Sequence, residues 1–217
     1  MNLLISFGPL KAYIDEVRFI TNRSTGTFGY KLLQEALLRK YNVRAVVGCT
    51  EFTPPKEVDK WIEVEEYKDL KNALCKYFSW ADVLVMAAAV PDFIPSSKLS
   101  GKIPRSKGKL NLKLKATESI IGALSKKRGR NKKVLVGFSL EQKAPIEKAW
   151  QKVIDNNLDF TVAVSLSKER NPYGLEECSV ALVSKSRVEK LPLWSKKRIA
   201  RYVFDNIDQH KDALRKK

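Results

Sequence analysis

The sequence predicts a doubly wound α/β fold: a mostly parallel sheet with helices on both faces and small antiparallel additions. Three observations carry this. "ADVLVMAAAV", "KKVLVGFS" and "LDFTVAVS" are continuous apolar runs, as parallel strands covered on both faces require. Amphipathic helical runs alternate with the strands. No internal repeat or low-complexity linker divides the 217 residues, so residues 1–217 are expected to form one domain.

"NLLIS" reads as the first, short buried strand, followed by an irregular stretch. A helix runs from about Thr25 to Lys40, with Ser24 or Asn22 able to cap it. "VRAVVG" is the second strand, and the alternating "KWIEVEE" a third that leads into the helix "YKDLKNALCKYF". The segments "SIIGALSKK" and "APIEKAWQKVIDNN" are helices around the last two apolar runs. Two segments break the alternation. "GKIPRSKGKLNLKLKA" has loop punctuation and then a period-two strand, "LNLKL"; "CSVALVSKSRVEKLPL" gives two strands joined by a turn. Additions of this kind build a lid or a subunit contact, or remain a plain edge hairpin.

Lys and Arg number 41 against 24 Asp and Glu, a formal charge of +17 that favours polyanions or phosphorylated substrates over a neutral partner. A solvated lysine-rich surface gives the same count. No run approaches membrane-spanning length, and "MNLLISFG" is too short for a signal sequence, so a cytoplasmic protein is expected. Cys49, Cys75 and Cys178 form neither a disulfide framework nor a metal cluster. His210 is the only histidine and sits in a polar C-terminal tail, which argues against Ser-His or Cys-His chemistry.

Two constellations remain. "VRFITNRSTGTFG" places Arg18, Asn22, Arg23 and Gly26 at a helix start, where free amides and cations suit an anion; a plain cap with surface arginines is the alternative. "MAAAVPDF" ends an apolar strand in small residues against which a flat ligand can press, or which a helix packs upon. Asp92 follows there, and Lys102 stands ten residues further on in the loop "GKIPR".

Together these pieces resemble the phosphopantothenate–cysteine ligase family, the synthetase of coenzyme A biosynthesis. The family's D-x-V-R-F/Y-I-S/T-N-x-S-S/T-G-x-M/L-G is similar to "DEVRFITNRSTGTFG", its A-A-V-A-D to "AAVPD", and its lysine loop to "KIPR". "VGFSLEQ" and "NPYGLEECSVALVSK" continue the likeness in the correct order over nearly the whole chain. The resemblance implies a Rossmann-like fold and a stand-alone form without the flavoprotein decarboxylase half. Phosphopantothenate would lie against Arg18, Asn22, Gly26 and Ala88, with Asn22 required for the cysteine step. CTP or ATP, with Mg²⁺, would lie against Gly8, Ala87, Ala88, Asp92, Lys102, Phe138 and Lys152, with Lys102 acting on the leaving pyrophosphate. No protein-only metal site is implied. A homodimer is implied, as is a separate decarboxylase acting next in the pathway.

The chain departs from the family pattern in places. Of the family's glycine pair "GPLKAY" keeps only Gly8, Ala12 replaces a glutamate, and Val164 and Ser165 replace an asparagine and an aspartate. Asn156 stands where a second nucleotide-side lysine is expected. Charge and these departures motivate a competing reading, a basic nucleic-acid-binding protein on a synthetase scaffold, which predicts binding with a steep salt slope. The lysines scatter along the chain and no nucleic-acid module is present, which counts against it. A dinucleotide oxidoreductase would need a G-x-G-x-x-G turn after the first strand, and none is there.

Overall fold

The computed structural model describes residues 1–129, 133–143, 145–166, 172–173 and 175–215, the side chain of Lys107 apart. Lys132 of "KKVLVGFS", Ala144 of "APIEKAWQKVIDNN" and Asn171 and Gly174 of "NPYGLEECSVALVSK" lie outside the described residues.

Eight strands form the main sheet. They are β1 (Asn2–Pro9), β4 (Asn42–Val47), β5 (Lys60–Glu63), β6 (Val83–Ala89), β9 (Val134–Glu141), β10 (Phe160–Ser165), β12 (Val180–Ser184) and β13 (Val188–Lys190). Their order is β13-β12-β10-β9-β6-β1-β4-β5. From β5 to β10 every neighbour is parallel; β12 joins β10, and β13 joins β12, antiparallel. The order therefore reverses between β1 and β6, and a doubly wound sheet opens its crevice at the carboxyl ends of such strands.

The two-residue alternation of β1 divides the core. Leu3, Ile5 and Phe7 pack with α1 (Thr27–Leu38) and α5 (Lys196–Arg215), whereas Leu4 packs with α2 (Tyr67–Tyr77), α3 (Ile120–Ser125) and α4 (Pro145–Asp155). Helices thus cover both faces, and the expected fold class is the one found. The α2 helix begins with a capping box between Glu66 and Asp69.

Four local expectations change. The stretch after β1 is not irregular: β2 (Lys11–Tyr13) and β3 (Phe19–Thr21) pair antiparallel. Three-residue strands are too short to show a period, and their turn is closed by Asp15, whose carboxylate accepts from the amides of Val17 and Arg18 at 2.8 and 2.7 Å. "LNLKL" is shifted: the strand is β8 (Leu114–Ala116), paired with β7 (Phe93–Pro95), and all three of its residues are exposed. Its alternation has no core to face. The pair β12–β13 extends the main sheet, while β11 (Glu177–Cys178) pairs with β14 (Trp194–Ser195). The polar C-terminal tail is instead the helix α5, which buries Ile199, Ala200, Val203, Phe204 and Ile207. His210 is half-buried on it, its ring 5.4 Å from that of Phe160 and its Nδ1 2.8 Å from the Asn206 carbonyl.

Helix α1 carries its own departure. Its N-cap is Gly26, at φ 76°, with no side-chain cap from Ser24 or Asn22. Three residues on, Gly29 presses α1 against β1: a Cβ there would lie 2.1 Å from the Cβ of Phe7. Gly29→Ala is expected to destabilise the protein by about 2 kcal/mol or more through overpacking. Thermal denaturation followed by circular dichroism should register a fall of roughly 4–8 °C.

Candidate active site

A cavity of about 660 Å³ opens above the carboxyl ends of β6, β9 and β10, beside the β1–α1 connection. Asn22, Gly26, Ala87, Ala88, Asp92, Phe138 and Lys152 all line it. The switch in strand order brings these together across more than a hundred residues of chain. The loop and the strand end are joined directly, since the Asn22 side-chain amide donates to the Val90 carbonyl at 3.0 Å.

Each wall has a local cause. Ala87 and Ala88 continue β6 into the cavity, where a larger side chain would fill the space a ligand needs. Pro91 ends the strand, and the backbone at Asp92 is held by the amide of Thr117, which donates to the Asp92 carbonyl at 2.9 Å. Phe138 meets Phe28 of α1 edge-to-face, with ring centroids 5.3 Å apart, so an aromatic pair forms part of the rim. From α4, the Lys152 ammonium donates to the Phe138 carbonyl at 2.6 Å. Burial pushes the pKa of Lys152 down, and the carboxylates of Asp92 and Glu141 oppose that shift.

Three predicted residues lie elsewhere. Gly8, at φ 89°, sits beneath the loop rather than in the cavity wall. A Cβ on Gly26 would approach Gly8 Cα to 3.2 Å and Thr50 Cγ2 to 2.6 Å, so the two glycines allow the loop to lie on the sheet. Arg18 turns away from the cavity: its guanidinium donates to Asp15 Oδ2 at 3.2 Å and to the Ile103 carbonyl at 3.0 Å. Lys102 is exposed and outside the cavity of its own chain. Its loop is fixed to the β2–β3 hairpin by Ile103, whose amide donates to Asp15 Oδ2 at 3.1 Å.

Asp15, fully buried, is thus the staple between the first motif and the lysine loop. Burial raises its pKa, but the amides of Ile103, Val17 and Arg18, with the Arg18 guanidinium, outweigh that and hold it below the ordinary aspartate value. A carboxyl with a depressed folded pKa contributes stability above its unfolded value, and loses it as pH falls through the folded one. Urea denaturation should therefore show wild type more stable than Asp15→Asn at neutral pH. The gap should narrow as pH falls below about 4, and a gap independent of pH would contradict this role for the charge.

The substituted positions have structural roles too. The Asn156 side chain donates to the Lys152 carbonyl at 2.9 Å and accepts from Ser119 Oγ at 2.5 Å, tying α4 to the start of α3. Val164 lines the cavity from the end of β10. Sequence reasoning missed Lys196, which lines the cavity from the first residue of α5. It also gave no role to Tyr173, whose ring lies 5.7 Å from the Arg23 guanidinium at the cavity's edge. The amphipathic period of "RIARYVFDNI" could have revealed α5, but nothing local marks Lys196 among so many lysines.

The sequence profile of the family described as DNA/pantothenate metabolism flavoprotein, C-terminal domain, matches residues 1–210. The coenzyme A biosynthesis bifunctional protein CoaBC of Bacillus subtilis is 30% identical over 207 residues, 95% of this chain and 50% of the relative. A cysteine/cysteine sulfinic acid decarboxylase of an unknown prokaryotic organism is 32% identical over 206 residues, 94% of this chain and 57% of the relative. The chain spans about half the length of the curated relatives it matches. Among solved structures, the C-terminal domain of a CoaBC protein superposes with TM-score 0.80 at 28% identity, covering 98% of this chain and 96% of that one. Among the described residues, no helix is long and apolar enough to cross a membrane.

Proposed function

We propose that this chain, which belongs to the DNA/pantothenate metabolism flavoprotein C-terminal domain family, is a phosphopantothenate–cysteine ligase of coenzyme A biosynthesis. One observation carries the reading. The asparagine-glycine loop and the small-residue strand end share a single cavity, joined by the bond from Asn22 to Val90. The names of the CoaBC relatives support it.

The reaction runs in two steps. A carboxylate oxygen of phosphopantothenate attacks the α-phosphorus of a nucleoside triphosphate, CTP or ATP, and pyrophosphate leaves. The cysteine amine then attacks the acyl carbon, expels the nucleoside monophosphate and loses its proton. No histidine is needed for either step; positioning and charge stabilisation carry the rate. Ala87, Ala88 and Phe138 would hold the nucleoside, and Asp92 and Lys152 its polar groups. Asn22 would orient the acyl group toward the incoming amine. The carboxylates of Asp92 and Glu141 suit a magnesium ion carried mainly by the triphosphate, the second of them shared with Lys148 at 2.7 Å. When bound, the ion offsets phosphate charge.

In this reading residues 1–217 act as one domain, in the cytoplasm, and a decarboxylase uses the product. The protein would be a homodimer. Phe19, Ile20, Phe93 and Leu114 are exposed on the neighbouring β2–β3 and β7–β8 pairs, an apolar surface that a second copy would cover. The test of the reaction is pyrophosphate release with each triphosphate in turn. Release should require phosphopantothenate and Mg²⁺, and the failure of every triphosphate would refute the assignment.

A further inference from the structure

We propose that Lys196 binds a phosphate group of the substrates, an inference that rests on the ligase reading. The side chain is only 3% exposed, yet it lines the cavity. Its backbone amide donates to the Glu176 carbonyl at 2.8 Å, whereas among the described residues its ammonium has neither a hydrogen bond nor an ion pair. Nor is that ammonium among the buried unpaired atoms, so the stem is packed and the tip keeps contact with solvent. The other buried charges are matched within the fold. Asp15 has three amides and Arg18, and Lys133 donates to the carbonyls of Ser79 and Ala81. An ammonium with no carboxylate of its own, at the tip of a packed side chain that faces a cavity, is placed to take the opposite charge from a ligand.

Its placement suits that use. Lys196 begins α5, which packs with α1 on one face of the sheet, whereas Lys152 enters from α4 on the other. The cavity therefore carries a cation from each side. The first turn of α1, Thr27 to Gly29, lines the same space; the Gly26 N-cap has no side chain to cap it, and the Thr27 amide has a long bond of 3.4 Å to Thr25 Oγ1. A phosphate near this wall would meet both Lys196 and the positive end of the α1 dipole. The group could come from phosphopantothenate or from the triphosphate, since both present the same oxygens.

Calorimetric titration of wild type and Lys196→Met separates the sources, using phosphopantothenate, CTP or ATP with Mg²⁺, and inorganic tripolyphosphate. Affinity for at least one phosphate-bearing substrate should fall about tenfold or more, as for loss of one charge-assisted contact, and Lys196→Arg should restore most of it. Unliganded Lys196→Met should melt no lower than wild type, because it breaks no hydrogen bond or ion pair among the described residues. Unchanged affinity for every ligand, or a lower melting temperature with unchanged affinity, overturns the proposal. Wild type that binds tripolyphosphate through Lys196 but neither substrate refutes the ligase reading and leaves the phosphate site standing. Wild type that binds none of the ligands refutes both.

Discussion

Lys102→Gln is expected to lower turnover by about 10²-fold or more, while nucleotide affinity falls far less. A cation on the leaving pyrophosphate matters most where its charge is greatest, in the transition state. Lys98→Gln and Lys109→Gln remove the same charge from exposed neighbouring positions and should each cost little. If either proves as damaging, the effect is diffuse electrostatics. Lys102 lies outside its own chain's cavity, on a loop that Asp15 and Arg18 hold to the β2–β3 hairpin, so the proposed dimer would deliver it to the partner's site. Mixing Lys102→Gln with Asn22→Asp then has a definite outcome. Half the dimers are mixed and one of their two sites is intact, so about a quarter of full activity should return. No recovery after subunit exchange would place Lys102 in the site of its own chain.

Asn22→Asp should separate the two half-reactions. The carboxamide donates to the Val90 carbonyl, and aspartate, which only accepts, cannot. If Asn22 serves the cysteine step, the variant should still release pyrophosphate and accumulate acyl nucleotide, while amide formation falls about 10²-fold or more, as for loss of one preorganised donor. If the bond to Val90 serves only to join the loop to the strand end, both half-reactions should fall together. Rapid-quench analysis of the acyl nucleotide distinguishes the cases.

The sheet was legible because β6, β9 and β10 are apolar on both faces, and such runs admit few other structures. The cavity residues on the β1–α1 loop and at the end of β6 were legible as motifs, since small residues and a turn-forming proline leave a local trace. What was not legible depends on distant partners. Arg18 reads as a free cation beside an anion site, but its second partner, Ile103, is 85 residues away. The β2–β3 pair is too short for a period and is closed by a carboxylate that the sequence does not mark as buried. Lys196 is one lysine among many until the start of α5, tied by its amide to the Glu176 carbonyl, places it inside the molecule. Gly26 caps α1 because the approach to Gly8 and Thr50 leaves no room for a Cβ, a condition set by the sheet below.

In the proposed reaction the chain activates the carboxylate of phosphopantothenate as an acyl nucleotide before cysteine attacks. Phosphopantothenate carrying heavy oxygen in its carboxylate tests this most directly, with mass spectrometry of the products after reaction with cysteine, Mg²⁺ and the preferred triphosphate. The account predicts phosphopantothenoylcysteine together with a nucleoside monophosphate that has gained one labelled oxygen. An unlabelled monophosphate, or label appearing in inorganic phosphate, would contradict it.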